Sequence, residues 1–287
     1  MSESITIASC IQRAVQLNAV SDSARLDIEL LLTHLLKKDR SYLFTWPEKE
    51  LTSEQAADFE NLFQRRLAGE PIAHIIGQRE FWSLPLTVDN TTLIPRPDTE
   101  LLVEAVLELF AQDSPAEARK LLDLGTGTGA IVLALASEKR HWQCMGVDKY
   151  SAAVSLAEKN RTQLQLNNVQ IMQSDWFSAV DEKAFDVIVS NPPYIDPDDP
   201  HLQQGDVRFE PLTALTAAKK GMADIEHIAQ QACGYLRPAG WLLIEHGYDQ
   251  GEAARELFIQ CGYQNVATLR DMSGNERVTL GQRGAER

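Results

Sequence analysis

The amino-acid sequence predicts an α/β fold with a parallel β-sheet, preceded by a small helical domain and a β-hairpin connector. From residue 120 onward, short apolar runs alternate with helical segments, a pattern typical of a parallel sheet covered by helices on both faces. Before that point the spacing of apolar residues is mainly helical. We therefore divide the chain into a helical domain, 1–72, a connector, 73–97, and a larger α/β domain, 98–287.

The helical domain shows both amphipathic spacing and a helix-capping signal. Leucines recur every three to four positions between residues 21 and 38, which predicts a helix with one buried face. Thr52 and Gln55 have the spacing of a capping box, in which each side chain bonds to the other residue's backbone at the start of a helix. We expect these helices to pack as a bundle with Trp46 and Phe63 in its core.

The connector contains two short apolar runs, residues 74–76 and 84–88, with a glycine between them. We predict that these runs are strands that pair as a β-hairpin. A Pro-Arg-Pro sequence at 95–97 then interrupts regular structure, and either Asp98 or Thr99 is a suitable N-cap for the helix that follows.

The α/β domain is predicted to contain seven strands, the first five parallel and the last two closing the sheet. We predict these strands at 120–124, 143–147, 169–173, 185–190, 241–246, 263–269 and 276–280. We predict helices near 129–138, 151–166, 222–236 and 249–261. The sequence contains no long linker, repeat or low-complexity segment.

Composition and charge limit the class of protein. The chain has 287 residues, 44% of them hydrophobic, and a formal net charge of −14, a sign opposite to that of most proteins that bind nucleic-acid phosphates. Its four cysteines form no CxxC pair, which favours reduced thiols over disulfides or a zinc site. No apolar run has the length of a membrane span, and the first four residues lack the pattern of a secretory signal. We expect a cytoplasmic monomer with no metal, no membrane contact and no direct contact with nucleic acid.

The first candidate binding site is a glycine-rich loop. Gly125-Thr126-Gly127-Thr128-Gly129 follows a buried strand, so that the backbone can approach a ligand closely and the next helix begins with free N–H groups. Asp148 ends the next strand, 19 residues after Gly129, where a carboxylate can accept both hydroxyls of a ribose. With Ala130 the loop also satisfies the dinucleotide pattern, so a nicotinamide cofactor and S-adenosylmethionine both remain open.

Two features favour S-adenosylmethionine. The third glycine comes one residue early for the dinucleotide pattern, and Asp123, just before the loop, is placed to approach a methionyl ammonium group. Ser174-Asp175-Trp176 ends the third strand, where an adenine would lie, so that Asp175 can accept from its amino group and Trp176 can cover its face. For these last two residues a capping aspartate and a core tryptophan are the ordinary alternatives.

A second candidate site, Asn191-Pro192-Pro193-Tyr194, follows the fourth strand. The side-chain oxygen of Asn191 and the main-chain oxygen of Pro192 can each accept an N–H from a flat NH2 group, which fixes the nitrogen and stabilises positive charge that develops on it. The prolines stiffen the loop, and Tyr194 can pack on a planar group. Transfer of a methyl group from a sulfonium depends largely on such positioning and needs no general base beforehand.

A motif of this type after a Gly-x-Gly-x-Gly loop resembles S-adenosylmethionine-dependent methyltransferases that act on the NH2 groups of nucleobases or of glutamine. Three further segments narrow the resemblance: Glu70–Ile75 with Gly77, Glu80–Trp82, and Leu93–Glu100. With these segments the chain resembles, over essentially its full length, the bacterial release-factor glutamine methyltransferases, called PrmC or HemK. The resemblance implies a Rossmann-like class I methyltransferase domain with a seven-stranded, mostly parallel sheet.

The resemblance also implies a substrate and residue roles. The family methylates the side-chain amide nitrogen of the glutamine in the Gly-Gly-Gln loop of peptide chain release factors, and S-adenosylhomocysteine is the product of the cofactor. Asn191 and Pro192 would be catalytic, and the glutamine would be held by Asn191, Pro192, Pro193 and Tyr194. The cofactor would be bound by Gly125, Thr126, Gly127, Thr128, Gly129, Asp148, Trp176 and Asn191. The helical domain would dock the release factor.

Two other hypotheses remain open on the sequence. A methyltransferase acting on a nucleobase of DNA or ribosomal RNA would need a basic cleft and a recognition domain, whereas the sequence offers a small acidic helical domain. A non-catalytic adaptor would retain the fold, but an intact Asn191 and glycine loop argue against it. Arg96, between two prolines, is placed either to contact a substrate or cofactor carboxylate or to form a structural salt bridge.

Overall fold

The computed structural model describes residues 5–114 and 117–285. The first four residues, which were considered above for a secretory signal, lie outside the described residues. Within the described ranges, no helix is both long enough and apolar enough to cross a membrane. The chain forms two compact units, which are described separately.

The first unit consists of Met1–Gln78 and Pro200–Phe209 and is helical. Its α-helices are α1 (Ile7–Gln12), α2 (Ala24–Leu36), α3 (Arg40–Thr45), α4 (Ser53–Leu67) and α5 (Ile72–Ile76). Short 3-10 helices occupy Arg13–Leu17, Pro200–Gln203 and Gly205–Phe209. The apolar faces of α2 and α4 meet in a core that contains Ile28, Phe59 and Phe63.

Two of the sequence predictions for this unit are confirmed and one is wrong. The capping box is present, because the hydroxyl of Thr52 accepts the N–H of Gln55 and the Gln55 side chain accepts the N–H of Thr52. Phe63 is fully buried. Trp46 was expected in the core but is 57% exposed. It lies just past the end of α3 with a non-helical backbone, so its side chain does not continue the buried face that Leu43 begins.

A buried ion pair connects two helices of the first unit. Arg66 near the end of α4 donates to the Asp27 carboxylate on α2, with Nε and Oδ2 2.7 Å apart and both side chains almost fully buried. The same guanidinium donates to the backbone oxygen of Glu70 and to the carboxylate of Asp206. Several partners therefore satisfy this buried charge, as burial of an arginine requires.

The second unit consists of Arg79–Asp199 and Glu210–Arg287 and has the predicted α/β architecture. Its strands are β1 (Gln78–Phe81), whose first residue belongs to the first unit, β2 (Leu84–Thr87), β3 (Lys120–Leu124), β4 (Gln143–Asp148), β5 (Val169–Gln173), β6 (Phe185–Ser190), β7 (Leu236–Glu245), β8 (Gln264–Arg270) and β9 (Glu276–Gln282). Its α-helices are α6 (Glu100–Leu109), α7 (Ala130–Glu138), α8 (Ser151–Gln163), α9 (Ala223–Ala232) and α10 (Gly251–Gln260).

Among the described residues of this unit, seven strands form one sheet in the order β5-β4-β3-β6-β7-β9-β8. The strands from β5 to β7 are parallel, and β9 is antiparallel to both β7 and β8. Apolar side chains form a core on each face of the sheet, which is why β3 and β6 are buried along their whole length apart from one half-exposed lysine. The predicted seven-stranded, mostly parallel sheet is confirmed.

The hairpin connector exists, but its first strand was placed wrongly. Residues 74–76, predicted as a strand, belong to α5, which begins after Pro71 and ends at Gly77 with a left-handed backbone (φ +72°). Proline before a short helix and glycine after it are the usual signals for its two ends. The hairpin is instead β1 and β2, joined at Trp82 and Ser83, which both have positive φ as a two-residue turn between twisted strands requires.

Candidate active site

The parallel strands place both candidate motifs at one edge of the sheet. The glycine loop follows β3, and Asn191 follows β6, the strand that pairs with β3. The strand order reverses between these two strands, and such a switch point opens a crevice at the carboxyl ends of a parallel sheet. A cavity of about 400 Å³ lies there, which is within the range of small-molecule binding sites.

The wall of the cavity is formed by residues that follow four neighbouring strands. These residues are 125–128 after β3, 148–150 at the end of β4, 174–176 after β5, and Asn191 and Pro193 after β6. Segments at 91–99 and 212–216 and the carboxylate of Asp224 complete it. All of these residues belong to the second unit.

The glycine loop is shaped so that a ligand can approach its backbone. Gly125 has a left-handed backbone (φ +71°), and a Cβ atom at this position would lie 3.3 Å from the Trp176 ring, tighter than ordinary packing. The indole of Trp176 therefore lies beside the loop and forms a flat apolar surface of the cavity. Gly129 lies behind the loop instead, buried against Leu133, where it begins α7.

Asp148 is fixed by the backbone at the end of β4. One carboxylate oxygen accepts the N–H of Gly127 and the other accepts the N–H of Tyr150, each at 3.0 Å. Burial raises the pKa of Asp148, while these backbone donors act in the opposite direction. Each oxygen keeps further lone pairs, so the carboxylate can also accept hydroxyl groups of a ligand in the cavity.

Asp123 does not line the cavity. Its side chain is fully buried beneath the loop, where Oδ2 accepts the hydroxyl proton of Thr126 at 2.6 Å. Its other oxygen has no hydrogen-bond partner among the described residues. Burial, with a smaller contribution from Asp148, raises the pKa of Asp123 to about 7. The residue supports the loop from beneath through Thr126, which lines the cavity.

The residues after β5 form the far end of the cavity. The Asp175 carboxylate lies on the cavity wall and pairs with Lys149, with Nζ and Oδ2 2.9 Å apart. Both side chains are about half exposed, so this ion pair is exchangeable and contributes little to stability. Asp175 is thus placed beside Trp176 with a carboxylate available for a polar ligand group.

The Asn191–Tyr194 loop is held from several sides. The side-chain nitrogen of Asn191 donates to the hydroxyl of Thr99 at 3.1 Å, and Thr99 also lines the cavity. The Tyr194 hydroxyl faces a carboxylate oxygen of Glu245 at 3.4 Å. The backbone oxygen of Tyr194 accepts an N–H from the side chain of Gln250 at 3.0 Å. These contacts fix both the amide and the main chain of the motif.

The structure brings most of the predicted site residues together around one cavity. Those that line it are Gly125, Thr126, Gly127, Thr128, Asp148, Trp176, Asn191 and Pro193. Gly129, Pro192 and Tyr194 stand behind this wall. Arg96 lines the cavity and also pairs with the buried carboxylate of Glu210, so the salt bridge predicted for it is present.

Sequence reasoning missed Thr99, Glu245 and Gln250 as residues that hold the motif. Glu245 carried a usable signal, since it is a charged residue at the carboxyl end of a buried strand, as Asp148 is. Thr99 was considered only as a helix cap, and its hydroxyl makes no capping bond. Gln250 had no signal in the sequence pattern.

Known proteins resemble this chain in both sequence and fold. Two family models match the chain: the PrmC N-terminal domain over residues 11–77 and the methyltransferase small domain over residues 97–205. The structure is similar to the crystal structure of a methyltransferase from Pyrococcus furiosus, with a TM-score of 0.54 and 19% sequence identity, covering 78% of this chain and 99% of that chain. That similarity concerns the fold.

The fold and the cavity at the carboxyl ends of its strands define a class I methyltransferase. The sequence is 57% identical to the release factor glutamine methyltransferase of Shewanella oneidensis, covering 98% of both chains. It is 54% identical to that of Escherichia coli, covering 95% of this chain and 97% of the relative. The chain belongs to the release factor glutamine methyltransferase family. This family membership favours S-adenosylmethionine over a nicotinamide cofactor, because the family consists of methyltransferases.

Proposed function

We propose that this protein transfers a methyl group from S-adenosylmethionine to the side-chain amide nitrogen of the glutamine in the Gly-Gly-Gln loop of peptide chain release factors. The observation that carries the proposal is a single cavity lined by both the glycine loop and Asn191, in a chain that belongs to this family over nearly its full length. The proposal includes a docking domain at 1–72, a connector at 73–97 and a catalytic domain at 98–287.

The residues around the cavity fit S-adenosylmethionine. The space beside Gly125, which a Cβ atom would crowd against Trp176, suits a ligand that lies close to the backbone and stacks on the indole. Asp148 would accept the ribose hydroxyls, and Asp175 would accept from the adenine amino group. The remaining predicted contacts would come from Thr126, Gly127, Thr128 and Asn191, with Gly129 supporting the loop from behind. When bound, the cofactor supplies an electrophilic methyl group on a sulfonium.

The Asn191–Tyr194 loop would orient the substrate amide. Because the Asn191 nitrogen donates to Thr99, its side-chain oxygen is left to accept one N–H of the glutamine NH2 group. The backbone oxygen of Pro192 would accept the other, and Pro193 and Tyr194 would pack on the planar amide. An amide nitrogen is a poor nucleophile because its lone pair is delocalised, so two fixed acceptors favour the pyramidal geometry and the positive charge of the transition state.

Labelled S-adenosylmethionine tests the proposed function directly. The protein is incubated separately with release factor, with release factor whose loop glutamine is replaced by alanine, and with duplex DNA. We expect label only in the unmodified release factor, and peptide mass spectrometry should locate one added methyl group on the loop glutamine. Label in DNA, or label that persists in the alanine variant of the release factor, would contradict the proposal.

Asn191→Ala tests the role of the amide. Removal of one acceptor for the developing charge should lower kcat by about 100-fold or more, while cofactor affinity measured by calorimetry changes far less. Asn167→Ala is the matched control, because Asn167 is an exposed asparagine that lies away from the cavity, and it should retain full activity. Equal losses of kcat and cofactor affinity in Asn191→Ala would show instead that Asn191 serves mainly the cofactor.

A further inference from the structure

A fully buried asparagine on α8 joins the β2 strand of the hairpin to the glycine loop. Asn160 lies in the last turn of α8. Its Oδ1 atom accepts the backbone N–H of Thr87 at 2.8 Å. Its Nδ2 atom donates to the backbone oxygen of Thr87 at 3.0 Å and to that of Thr128 at 2.9 Å. Asn160 does not line the cavity and has no part in the function proposed so far.

These bonds permit only one orientation of the Asn160 amide. A backbone N–H can only donate and a backbone carbonyl can only accept, so the amide oxygen must face the Thr87 N–H and the NH2 group must face the two carbonyls. Both N–H groups and the oxygen of the side chain are then in use. An aspartate has the same shape but offers no such pair of donors. Asparagine is therefore the side chain that this set of backbone groups requires.

The bond to Thr128 fixes the last peptide of the glycine loop. The peptide unit between Thr128 and Gly129 is planar. Its carbonyl accepts from Asn160, and its N–H donates to the backbone oxygen of Thr126 at 2.8 Å. Ala157 lies on the same face of α8, and an added Cβ atom at Gly129 would be 3.4 Å from the Ala157 Cβ. This face of α8 thus supports the loop from behind.

The opposite side of the loop carries the proposed cofactor contacts. The N–H of Gly127 donates to Asp148, and both Gly127 and Thr128 line the cavity. The loop is therefore held between Asp148 at the end of β4 and Asn160 on the helix that follows. Without the Asn160 amide, the buried Thr128 carbonyl loses its donor, and rotation of the peptide toward another donor breaks the bond from the Gly129 N–H.

We propose that Asn160 is a positioning residue for cofactor binding, which holds the glycine loop from behind through the Thr128 carbonyl and anchors it to β2. A loop that is fixed before the ligand arrives does not have to be ordered at the expense of affinity. This inference rests on the cofactor in the proposed function, and it adds a residue that touches neither the cofactor nor the substrate.

Calorimetry and steady-state kinetics test this role. In Asn160→Asp, a carboxylate of the same shape faces two carbonyl oxygens and has lost both donors. The Kd for S-adenosylhomocysteine should rise by about 10-fold or more, the cost of a buried carbonyl left without a partner. At saturating S-adenosylmethionine, kcat and the KM for release factor should stay within about threefold of the wild type, because the Asn191–Tyr194 loop is unchanged.

Hydrogen exchange of the ligand-free protein gives a second readout. The Gly129 N–H is protected by its bond to the Thr126 oxygen, and that bond depends on the orientation of the peptide that Asn160 holds. Exchange at Gly129 should be about 10-fold faster or more in Asn160→Asp, because the loop opens more often. This measurement does not depend on the cofactor or on activity.

Two control variants separate this role from a general loss of stability. Gln163→Ala removes a 3.0 Å bond from α8 to the Thr87 hydroxyl. Thr279→Val removes a buried hydroxyl on β9 that bonds to His246. Neither of these side chains bonds to the glycine loop, so both variants should keep the wild-type Kd and the wild-type exchange at Gly129.

The possible results distinguish the two proposals. Wild-type Kd and wild-type exchange at Gly129 in Asn160→Asp would overturn the role of Asn160 and leave the proposed function standing. An equal rise of Kd in Gln163→Ala would assign the effect to the hairpin and would also overturn it. If Asn160→Asp does not fold, Asn160→Ala decides, since it removes the same donors without introducing a charge. Failure of the wild-type protein to bind S-adenosylhomocysteine would overturn both proposals, whereas failure only to label release factor would overturn the proposed function alone.

Discussion

The buried carboxyl of Asp123 should make the stability of this protein depend on pH in a predictable direction. Asp123 is fully buried, and its pKa in the folded protein is raised by burial from 3.8 to about 7. A raised pKa means that the folded state holds the proton over a range in which the unfolded chain has lost it. The stability contributed by this proton is complete below about pH 4 and is lost as the pH rises to about 7.

The size of this loss of stability follows from the two pKa values of Asp123, 3.8 in the unfolded chain and about 7 in the folded protein. Each pH unit between them corresponds to 1.36 kcal/mol, so the full loss between pH 3.8 and pH 7 is about 4 kcal/mol. Because the unfolded chain is already mostly ionised at about pH 5, roughly 3 kcal/mol of this remains to be lost between about pH 5 and about pH 8. Asp123→Asn has no titrating proton and keeps an oxygen for the Thr126 hydroxyl, so this part of the pH dependence should disappear.

Urea unfolding of the wild type and of Asp123→Asn at about pH 5 and about pH 8 measures the free energy of unfolding of each protein. The difference between their two pH dependences isolates Asp123, because the two proteins share all other titratable groups. Asp271→Asn is a suitable control. Asp271 accepts backbone N–H groups near the surface, which hold its pKa below 3.8, so its titration lies outside this range of pH. If Asp123→Asn shows the same loss of stability as the wild type between the two pH values, the carboxyl is ionised in the folded state and the reasoning is refuted.

Two further predictions concern packing. Gly221→Ala should lower kcat, because the backbone of Gly221 is left-handed (φ +80°) and a Cβ atom would overlap the Tyr194 carbonyl oxygen. Steady-state kinetics measure the loss, and an unchanged kcat would contradict the close approach of Gly221 to the Tyr194 backbone. Arg66→Met should lower the free energy of unfolding by about 3–5 kcal/mol, because it leaves Asp27 buried without its partner. Urea unfolding should show that the Arg66→Met/Asp27→Leu double variant recovers much of that loss, and a double variant as unstable as the single one would count against this explanation.

The fold was predictable from the sequence wherever a segment is buried on both faces. The strands at 120–124 and 185–190 have the predicted bounds, because continuous apolar runs in the centre of the sheet leave little choice of register. The errors lie where a short apolar run has no such constraint. Residues 74–76 are equally apolar as a strand or as a helical turn, and only the flanking proline and glycine distinguish the two. Trp46 was misplaced because size and hydrophobicity do not say where a helix ends.

The part of the site that depends on backbone shape was also predictable. Glycines, prolines and an aspartate at strand ends leave direct signals in the sequence, and the parallel sheet brings those signals to one edge. Sequence reasoning assigned all three glycines of the loop to cofactor binding, and in the structure Gly129 packs against Leu133 and does not line the cavity. A glycine motif does not show which glycine approaches a ligand and which permits helix packing, because both uses require the absence of a side chain.

The part that was not predictable is the set of contacts that hold the Asn191–Tyr194 loop. Thr99 lies 92 residues before Asn191, and Glu245 lies 51 residues after Tyr194, so no local pattern joins them. Their association depends on the pairing of β6 with β7 and on the start of α6, which only the three-dimensional structure gives. An asparagine in a Pro-Pro-Tyr motif presents either its oxygen or its NH2 group to a substrate with equal ease. In the structure the Asn191 nitrogen donates to the Thr99 hydroxyl, and no local pattern in the sequence shows which end of the amide makes this contact.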